Sequence, residues 1–245
     1  EKCDAWCATV PNTLRNPLYH WSHLELKRYF GLDCLISPAT ADRIWQTANE
    51  RLGTMRIHDI FAADKVAVVC TTDDPADSLE THEKIAKLGI KTRVYPTFRP
   101  DKAMSVDAPA AFNPWIERLA VAAKTPVNSF DNFLAALDKR HADFHAVGAR
   151  VSDHGPENCF AEPCTAAEAK SIFDTARAGK AATREQHLKF ASFMMLEFGR
   201  WDAKRGWVTQ LHLGALRNNN TRLLTALGPD TGFDSIGDFP QAVAL

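Results

Sequence analysis

The sequence lacks the features that mark membrane, nucleic-acid and nucleotide-binding proteins. No apolar run approaches the ~18 residues that a membrane-spanning helix needs. The 29 basic and 30 acidic residues leave a formal net charge of −1, so no basic field is present to hold a nucleic-acid backbone. Neither common glycine-rich phosphate-binding pattern occurs, and no GxSxG nucleophile motif is present. A small molecule without a nucleotide is therefore the favoured ligand.

Cysteine pairs with metal-binding or redox spacing are also missing. The six cysteines are scattered along the chain, and none forms a CxxC pair. Cys3 with Cys7, or Cys159 with Cys164, could form half of a metal site, but no histidines follow at zinc-finger distances. The simpler interpretation is reduced thiols in a cytoplasmic protein, which the absence of a signal peptide at the start of the sequence also favours.

Short apolar, β-branched runs alternate with capped helical segments. Four runs predict strands, namely KVAVVCTT at 65–72, KTRVYPTF at 91–98, ARVSDHG at 149–155 and GWVTQLHLG at 206–214. Helix starts are expected at Asp74-Pro75, Asn113-Pro114 and Ser129, and capping boxes at Thr165 and Thr183. Such alternation is typical of right-handed βαβ crossovers, so the sequence predicts an α/β fold with a parallel sheet.

The residues before the first strand read as helical throughout. A capping residue followed by proline begins two helices, at Asn16 and at Ser37, and each helix ends before a glycine. We therefore distinguish a helical segment at 1–64 from an α/β part at 65–245, with both belonging to one larger domain.

Polar clusters follow all four predicted strands, where ligands bind in parallel sheets. The candidate substrate-binding or catalytic residues are Asp73, Arg99, His154, His212, Arg217 and Asn218. Arg99 and Arg217 together favour an anionic ligand, because the forked guanidinium matches a carboxylate. A small carboxylate with hydroxyl groups would suit a set of arginines, asparagines, a histidine and aspartates.

Each candidate also has a plainer structural interpretation. Asp73 can cap the following helix, and Arg99 before a proline can be a solvated loop residue. Asp153 and His154 can form a structural hydrogen-bonded pair, and His212 lies where a core histidine would lie in a buried strand. The expected convergence of these clusters on one face is what favours a site.

Six segments resemble the uronate isomerases, also called glucuronate isomerases, of the amidohydrolase superfamily. They are NPLYHWSHLEL, TTDDPADSLETH, PTFRPDKA, ARVSDHG, RGWVTQLHLGALRNNN and LGPDTGFDSIGD, in family order through nearly all of the chain. The resemblance implies a (β/α)8 TIM barrel, of which this chain would hold strands two to five. It also implies aldose–ketose isomerisation of D-glucuronate to D-fructuronate and of D-galacturonate to D-tagaturonate, by proton transfer between C2 and C1.

The resemblance assigns roles to three of the candidates. His212 matches the histidine at the end of the fifth barrel strand, which would hydrogen-bond to substrate or to a metal-bound group. Arg217 matches an arginine expected near the sugar acid, so His212 and Arg217 are the catalytic candidates. Arg99 matches the arginine expected to clamp the substrate carboxylate, and Phe98 before it stands where the family usually has Trp.

The resemblance further implies a divalent metal, usually zinc, whose ligands this chain mostly lacks. The family carries an HxH motif on its first strand and an Asp on its eighth, followed by an arginine implicated in proton transfer. This sequence contains no HxH. We therefore expect an internal piece of the enzyme, inactive alone and with no metal ligand of its own, in which His212 would neighbour the metal.

Two other functions stay open on the sequence. A metal-dependent hydrolase of the same superfamily would need an activated metal-bound water and more histidine ligands. A non-catalytic sugar-acid-binding module would keep the arginines without a metal site. The segments RPDKA and HLGALRNNN favour the isomerase, with a hexuronate as its small-molecule partner and a homo-oligomer compatible with the sequence.

Overall fold

The computed structural model describes residues 1–245 and divides them into two compact units. The first unit comprises Glu1–Ala67 with Ile90–Thr92, and the second comprises Val68–Gly89 with Arg93–Leu245. No helix in either unit combines the length and the apolarity that crossing a membrane requires. All six cysteines are free thiols.

The first unit is helical. Its helices are α1 (Lys2–Thr9), α2 (Pro17–Phe30), α3 (Ala41–Leu52) and α4 (Ile57–Ala63). The predicted limits of α2 are confirmed, because the Asn16 side chain accepts a hydrogen bond from the Leu18 N–H and Gly31 follows with φ of 68°. The predicted start at Ser37 produces a 3₁₀ turn, Pro38–Thr40, which leads directly into α3.

The second unit contains the four predicted strands, each shorter than its apolar run. They are β1 (Val68–Cys70), β2 (Arg93–Tyr95), β3 (Val151–His154) and β4 (Val208–Leu211). The intervening helices are α5 (Glu80–Ala86), α6 (Pro109–Ala123), α7 (Phe130–Val147), α8 (Ala166–Arg177) and α9 (Arg184–Arg205). A short pair not predicted from sequence, β5 (Ala215–Leu216) and β6 (Ser235–Ile236), flanks α10 (Thr221–Leu227).

The four main strands run in the same direction, as predicted. β1 pairs with β2 and β3 pairs with β4, both in parallel register. A parallel bridge between Asp73 and Phe98 extends the β1–β2 pairing beyond the carboxyl ends of both strands, and a parallel bridge between Phe98 and Ser152 connects this pair to β3. The order across this face is therefore β1, β2, β3, β4, whereas β5 and β6 pair antiparallel to each other.

Two of the expected helix starts are wrong. Asp74 does not begin a helix: its Oδ1 accepts from the Ala76 N–H at 2.8 Å and closes a turn, and α5 begins at Glu80. α6 begins at Pro109 and contains Pro114, so the side chain of Asn113 is not a cap but donates to the carbonyl of Ala176. Burial of the α6 apolar face outweighs the missing N–H of the internal proline.

Phe98 connects the sheet to its helical layer. Its ring is fully buried and makes edge-to-face contacts with His141 and Phe144 of α7, at centroid distances of 5.0 and 5.2 Å. Successive residues of an extended chain point to opposite faces. Because Phe98 points into the helices, Arg99 is directed to the other face of the sheet.

A buried carboxylate ties α7 and α9 to the two central strands. Asp202 of α9 accepts from Ser152 at 2.5 Å and from Thr209 at 2.6 Å, and its other oxygen lies 2.9 Å from Nε2 of His141. Burial alone would raise the pKa of Asp202, but the hydrogen bonds from His141, Ser152 and Thr209 outweigh it, and the pKa lies below its ordinary value. Trp207 covers the group by stacking on His141 at 3.8 Å.

Acid should destabilise the unit through its buried histidines. Burial lowers the pKa of both His141 and His154 below the ordinary value of 6.5. The stability that their neutral forms contribute is therefore fully present above pH 6.5 and is lost as the pH falls through the folded-state pKa. We use the term full-length protein for the product of the complete reading frame. Its melting temperature should decrease from pH 7.5 to about pH 5.5.

A histidine variant provides the control for this acid effect. His154→Gln should flatten the dependence of melting temperature on pH, because glutamine does not titrate. His58→Gln, which removes an exposed imidazole, should leave the slope as it is in the unaltered protein. Equal slopes in all three proteins would show that His154 does not contribute to the acid dependence of stability.

Candidate active site

Strand alternation sorts the polar residues of β3 and β4 onto two faces. The register places Asp153 beside Gln210 and Ser152 beside Thr209. Neighbouring residues of a parallel pair share a face, so Ser152 and Thr209 point into the helices, as their bonds to the α9 carboxylate show. Asp153 and Gln210 point to the opposite face, and His212, two residues beyond Gln210, continues it.

Asp153 is the centre of the polar cluster on this face. One of its oxygens lies 2.9 Å from Nδ1 of His212 and accepts from Nε2 of Gln210 at 3.0 Å. The other oxygen lies 3.4 Å from a terminal nitrogen of Arg99. The residue is buried. A buried carboxylate requires such partners, because without them the cost of its desolvation would not be offset.

All three guanidinium nitrogens of Arg99 contact other residues of the cluster. Its Nε donates to Asp101 at 3.1 Å, one Nη pairs with Asp153, and the other Nη donates to Nε2 of His212 at 3.1 Å. Its backbone N–H donates to the carbonyl of Asp73 at 2.9 Å, which fixes the start of the side chain. About a quarter of the side chain remains exposed, so a ligand can reach the guanidinium.

Asp101 and Gly155 complete the cluster, and neither was a sequence candidate. One Asp101 oxygen accepts both from Nε of Arg99 and from the N–H of Gly155, each at 3.1 Å. A Cβ on Gly155 would lie 2.1 Å from Nε2 of His212 and 2.3 Å from an Nη of Arg99. Only a glycine allows these two side chains to meet at this point. The signal in the sequence is the glycine directly after the strand in ARVSDHG.

His154 points to the opposite face of β3 from Asp153 and its partners Arg99 and His212. Its side chain is fully buried, its ring stacks on Phe198 of α9 at 5.5 Å, and its Nε2 lies 3.1 Å from the hydroxyl of Ser152. The expectation that it contacts substrate is therefore not supported, because β3 alternation directs it into the helices. Its Nδ1 is 3.9 Å from the second oxygen of Asp101, and neither atom has a hydrogen-bond partner.

Asp73 contributes to the cluster through its backbone and not through its carboxylate. The carboxylate accepts from the Thr71 hydroxyl at 2.6 Å and from the Thr97 N–H at 3.3 Å, and it lies 3.8 Å from Nε2 of buried His82. These contacts hold the ends of β1 and β2 together. Of Asp73, only the carbonyl meets Arg99.

Arg217 and Asn218 belong to a separate cluster on the β5–β6 pair. A terminal nitrogen of Arg217 donates to one oxygen of Asp234 at 2.7 Å, and the Asn218 N–H donates to the other at 2.9 Å. These two bonds, from Asn218 and then Arg217, hold the pKa of Asp234 below its ordinary value. Of the six sequence candidates, the structure brings only Arg99 and His212 into side-chain contact.

The residues present do not form a metal site. No group of three or more His, Cys, Asp or Glu side chains is arranged to hold a metal ion. At the polar cluster, the guanidinium of Arg99 already occupies the space between Asp101, Asp153 and His212. A metal ion placed among these groups would have to displace the positively charged guanidinium of Arg99. The cluster is therefore not suited to bind a metal ion.

Comparison with known proteins gives a consistent result. The family model described as glucuronate isomerase matches residues 1–245. A uronate isomerase from Opitutus terrae is 74% identical over 245 residues, which cover 100% of this chain and 52% of that protein. A uronate isomerase from Solibacter usitatus is 57% identical over 247 residues, covering 100% and 53%. The chain spans about half the length of the curated relatives it matches.

Solved structures agree with the sequence relatives. A uronate isomerase from Thermotoga maritima superposes with a TM-score of 0.93 at 34% identity, over 100% of this chain and 54% of that one. A glucuronate isomerase from Caulobacter crescentus superposes with a TM-score of 0.87 at 27% identity, over 94% and 48%.

Gly155→Ala should separate Arg99 from His212. The new methyl group overlaps both side chains, and overpacking of this kind costs roughly 1–3 kcal/mol. In a crystal structure of the full-length variant, the Nη–Nε2 distance should exceed the 3.1 Å of the unaltered site. Gly199→Ala in α9 is the control: nothing lies near its Cβ, and the change should stabilise the helix by up to about 1 kcal/mol. An unmoved Arg99–His212 contact in Gly155→Ala would contradict the assigned role of Gly155.

Proposed function

The chain belongs to the glucuronate isomerase family, and from this premise we propose that the full-length protein interconverts aldose and ketose hexuronates. The proposed reactions are D-glucuronate to D-fructuronate and D-galacturonate to D-tagaturonate. The observation that carries the proposal is the contact of a partly exposed arginine with a histidine at the carboxyl ends of parallel strands. In folds of this kind, that edge of the sheet is where ligands bind.

Arg99 is the proposed clamp for the substrate carboxylate. Its guanidinium is aimed at the open face by Phe98, which points the other way, and by Asp101 and Asp153 on either side. A guanidinium forms two parallel hydrogen bonds with a carboxylate, which fixes the orientation as well as the position of the ligand. Holding C6 of the open-chain sugar in this way would set the position of C1 and C2.

His212 is the proposed partner of the reacting end or of a neighbouring hydroxyl. The isomerisation removes a proton from C2, forms an enediolate and returns a proton to C1. An imidazole within hydrogen-bond reach can hold or move a proton on the oxygens that carry the developing charge. Asp153 holds the ring in place through Nδ1, and Nε2, the nitrogen directed away from Asp153, contacts Arg99.

The proposed roles of Arg217 and Asn218 require a rearrangement of their cluster with Asp234. Both are tied to Asp234, so a role for Arg217 in catalysis or for Asn218 in substrate binding requires this cluster to open toward the ligand. Asp73 and His154 are proposed as supports of the strand ends, in accord with the groups that their side chains contact.

A closed (β/α)8 barrel is the proposed architecture of the full-length protein. Both outer strands of the parallel sheet expose apolar side chains, with Val68 of β1 at 44% and Val208 of β4 at 65%. Unpaired strand edges with exposed apolar residues are aggregation-prone, and closing a barrel removes them. Additional strands on both edges would cover these residues.

A divalent metal, zinc being the first choice, is proposed to be held by residues outside this chain. Within the chain, no group of side chains is arranged to hold one. Such a metal, when bound, would polarise the sugar oxygens and stabilise negative charge on them. The residues of this chain would orient the carboxylate end of the same substrate.

Arg99→Ala should weaken uronate binding without unfolding the full-length protein. Loss of a charge-assisted contact to a carboxylate is typically worth ~1.5–3 kcal/mol, so KM for glucuronate should rise roughly 10- to 150-fold. Arg99→Lys should recover part of the loss, since it restores charge but not the fork. Steady-state kinetics provide the measurement.

The control for the clamp is Arg118→Ala, which removes an exposed arginine paired with Asp77 and should leave the kinetics unchanged. If kcat/KM of Arg99→Ala equals that of the unaltered enzyme, Arg99 is not at the site. If the unaltered full-length protein does not convert glucuronate or galacturonate, the proposed function itself is wrong.

The 245-residue chain expressed alone should neither isomerise uronates nor stay monomeric. No group of three or more of its His, Cys, Asp or Glu side chains is arranged to hold a metal ion, and its exposed edges at β1 and β4 offer unpaired backbone for association. The formal net charge of −1 gives little protection against association. Size-exclusion chromatography and a glucuronate assay with zinc present test both halves. Turnover above a no-protein blank, or a monodisperse monomer with cooperative unfolding, would contradict them.

A further inference from the structure

The imidazole of His212 is held in a single tautomer by its two neighbours. Arginine has only donors, so Nε2 of His212 must accept the hydrogen bond from Arg99 at 3.1 Å. Nδ1 then carries the ring proton and donates it to Asp153 at 2.9 Å. A proton on Nε2 would point at an Nη–H of Arg99 and would break this arrangement.

The contact with Arg99 also occupies Nε2 of His212, the nitrogen that would exchange a proton with a ligand. Nε2 is the ring nitrogen that faces away from Asp153, and its lone pair is already taken by Arg99. In this state His212 can neither accept a proton from a ligand nor receive a hydrogen bond from one. The base becomes available only when Arg99 finds another acceptor.

Of the three Arg99 contacts, the one to His212 is the only one whose acceptor carries no formal negative charge. The partners of Arg99 at Asp101 and Asp153 are carboxylates, whereas Nε2 of His212 is a neutral acceptor. Hydrogen bonds between two charged groups are stronger than those with a neutral partner. An incoming carboxylate therefore displaces His212 from Arg99 before it displaces either aspartate.

We propose that a ligand carboxylate unmasks His212 by taking over the Nη group of Arg99, and that Asp153 is the positioning residue that keeps Nδ1 protonated throughout. This inference rests on the proposed function and adds a source of substrate selection to it. A sugar acid brings the group that releases the base, while a neutral hexose of the same size leaves Nε2 bound to Arg99. Selectivity for acids then arises in the catalytic step as well as in binding.

The first test follows the ring nitrogens of His212 by ¹⁵N NMR in the full-length protein, with His212→Gln used to assign the signals. The free protein should show a protonated Nδ1 and an unprotonated Nε2. Sodium gluconate, a sugar acid without an aldehyde, should shift the Nε2 signal with Nδ1 still protonated. Sorbitol, which replaces the carboxylate by a hydroxymethyl group, should leave the signal where it was.

Three results would overturn the proposal. They are a protonated Nε2 in the free protein, no shift or no binding with gluconate, and the same shift with sorbitol as with gluconate. None of these depends on turnover, so the proposal can fail while the enzyme still isomerises glucuronate. Conversely, absence of turnover in the unaltered protein counts against the proposed function alone.

The second test concerns Asp153. In Asp153→Asn the amide N–H₂ can donate to Nδ1 of His212, which moves the ring proton to Nε2 and sets it against Arg99. We expect kcat for glucuronate to fall at least about tenfold, in line with a lost charge-assisted hydrogen bond, with a smaller change in KM. The ¹⁵N signals should show the reversed tautomer, which a merely structural role would not produce.

Asp174→Asn supplies the matched control. It makes the same chemical change at an exposed carboxylate on α8 that pairs with Lys170, and it should keep both kcat and the His212 tautomer. If Asp153→Asn retains the Nδ1-protonated ring, Asp153 does not set the tautomer and the positioning role is wrong.

Discussion

The period-two alternation of side chains along β3 is the constraint on which the site depends. Ser152 and His154 point to the helices, and Asp153 between them points to the open face. The same chain segment therefore serves the core and the site at once. A shift of one residue in the register of β3 would exchange the two roles, placing a carboxylate in the apolar layer and a serine at the site.

The buried carboxylate of Asp202 explains why that register holds. It accepts hydrogen bonds from Ser152 of β3 and Thr209 of β4, and it also lies beside His141 of α7. Slippage of either strand would leave a charge buried without partners, at a cost of several kcal/mol. The interior network thus fixes, from the helical side, the strand positions that Asp153 and His212 need on the other face.

The parallel strands and most helix limits could be predicted from sequence because local signals determine them. Apolar runs mark β1 to β4, and side-chain caps mark α2, α7, α8 and α9. Arg99 and His212 were accessible for the same reason, since strand ends in a parallel sheet converge. The start of α6 could not be predicted from sequence, because Pro109 and Asn113-Pro114 are competing helix-start signals. Burial of Phe112 favours the earlier start.

The remaining misses concern long-range pairing and the direction of single side chains. The bond of Arg217 to Asp234 joins residues that are 17 apart in sequence, just after β5 and just before β6, and no local pattern marks it. The burial of His154 depends on which face of the sheet the alternate residues of β3 point to. In a strand of four residues, this becomes clear only when the neighbouring elements are known. Gly155 matters because the absence of a Cβ leaves space for the contact between His212 and Arg99. That contact is set by the fold and not by the local sequence.

The formal charges of the Arg99 cluster have an electrostatic consequence for any anionic ligand. Asp101 and Asp153 contribute two negative charges, Arg99 one positive charge and the singly protonated His212 none. The nearby Lys102 does not restore the balance, because it pairs with Asp74. A bound carboxylate would bring this small volume from −1 to −2 in formal charge. A site of this kind attracts an anion only with help from a positive potential outside it.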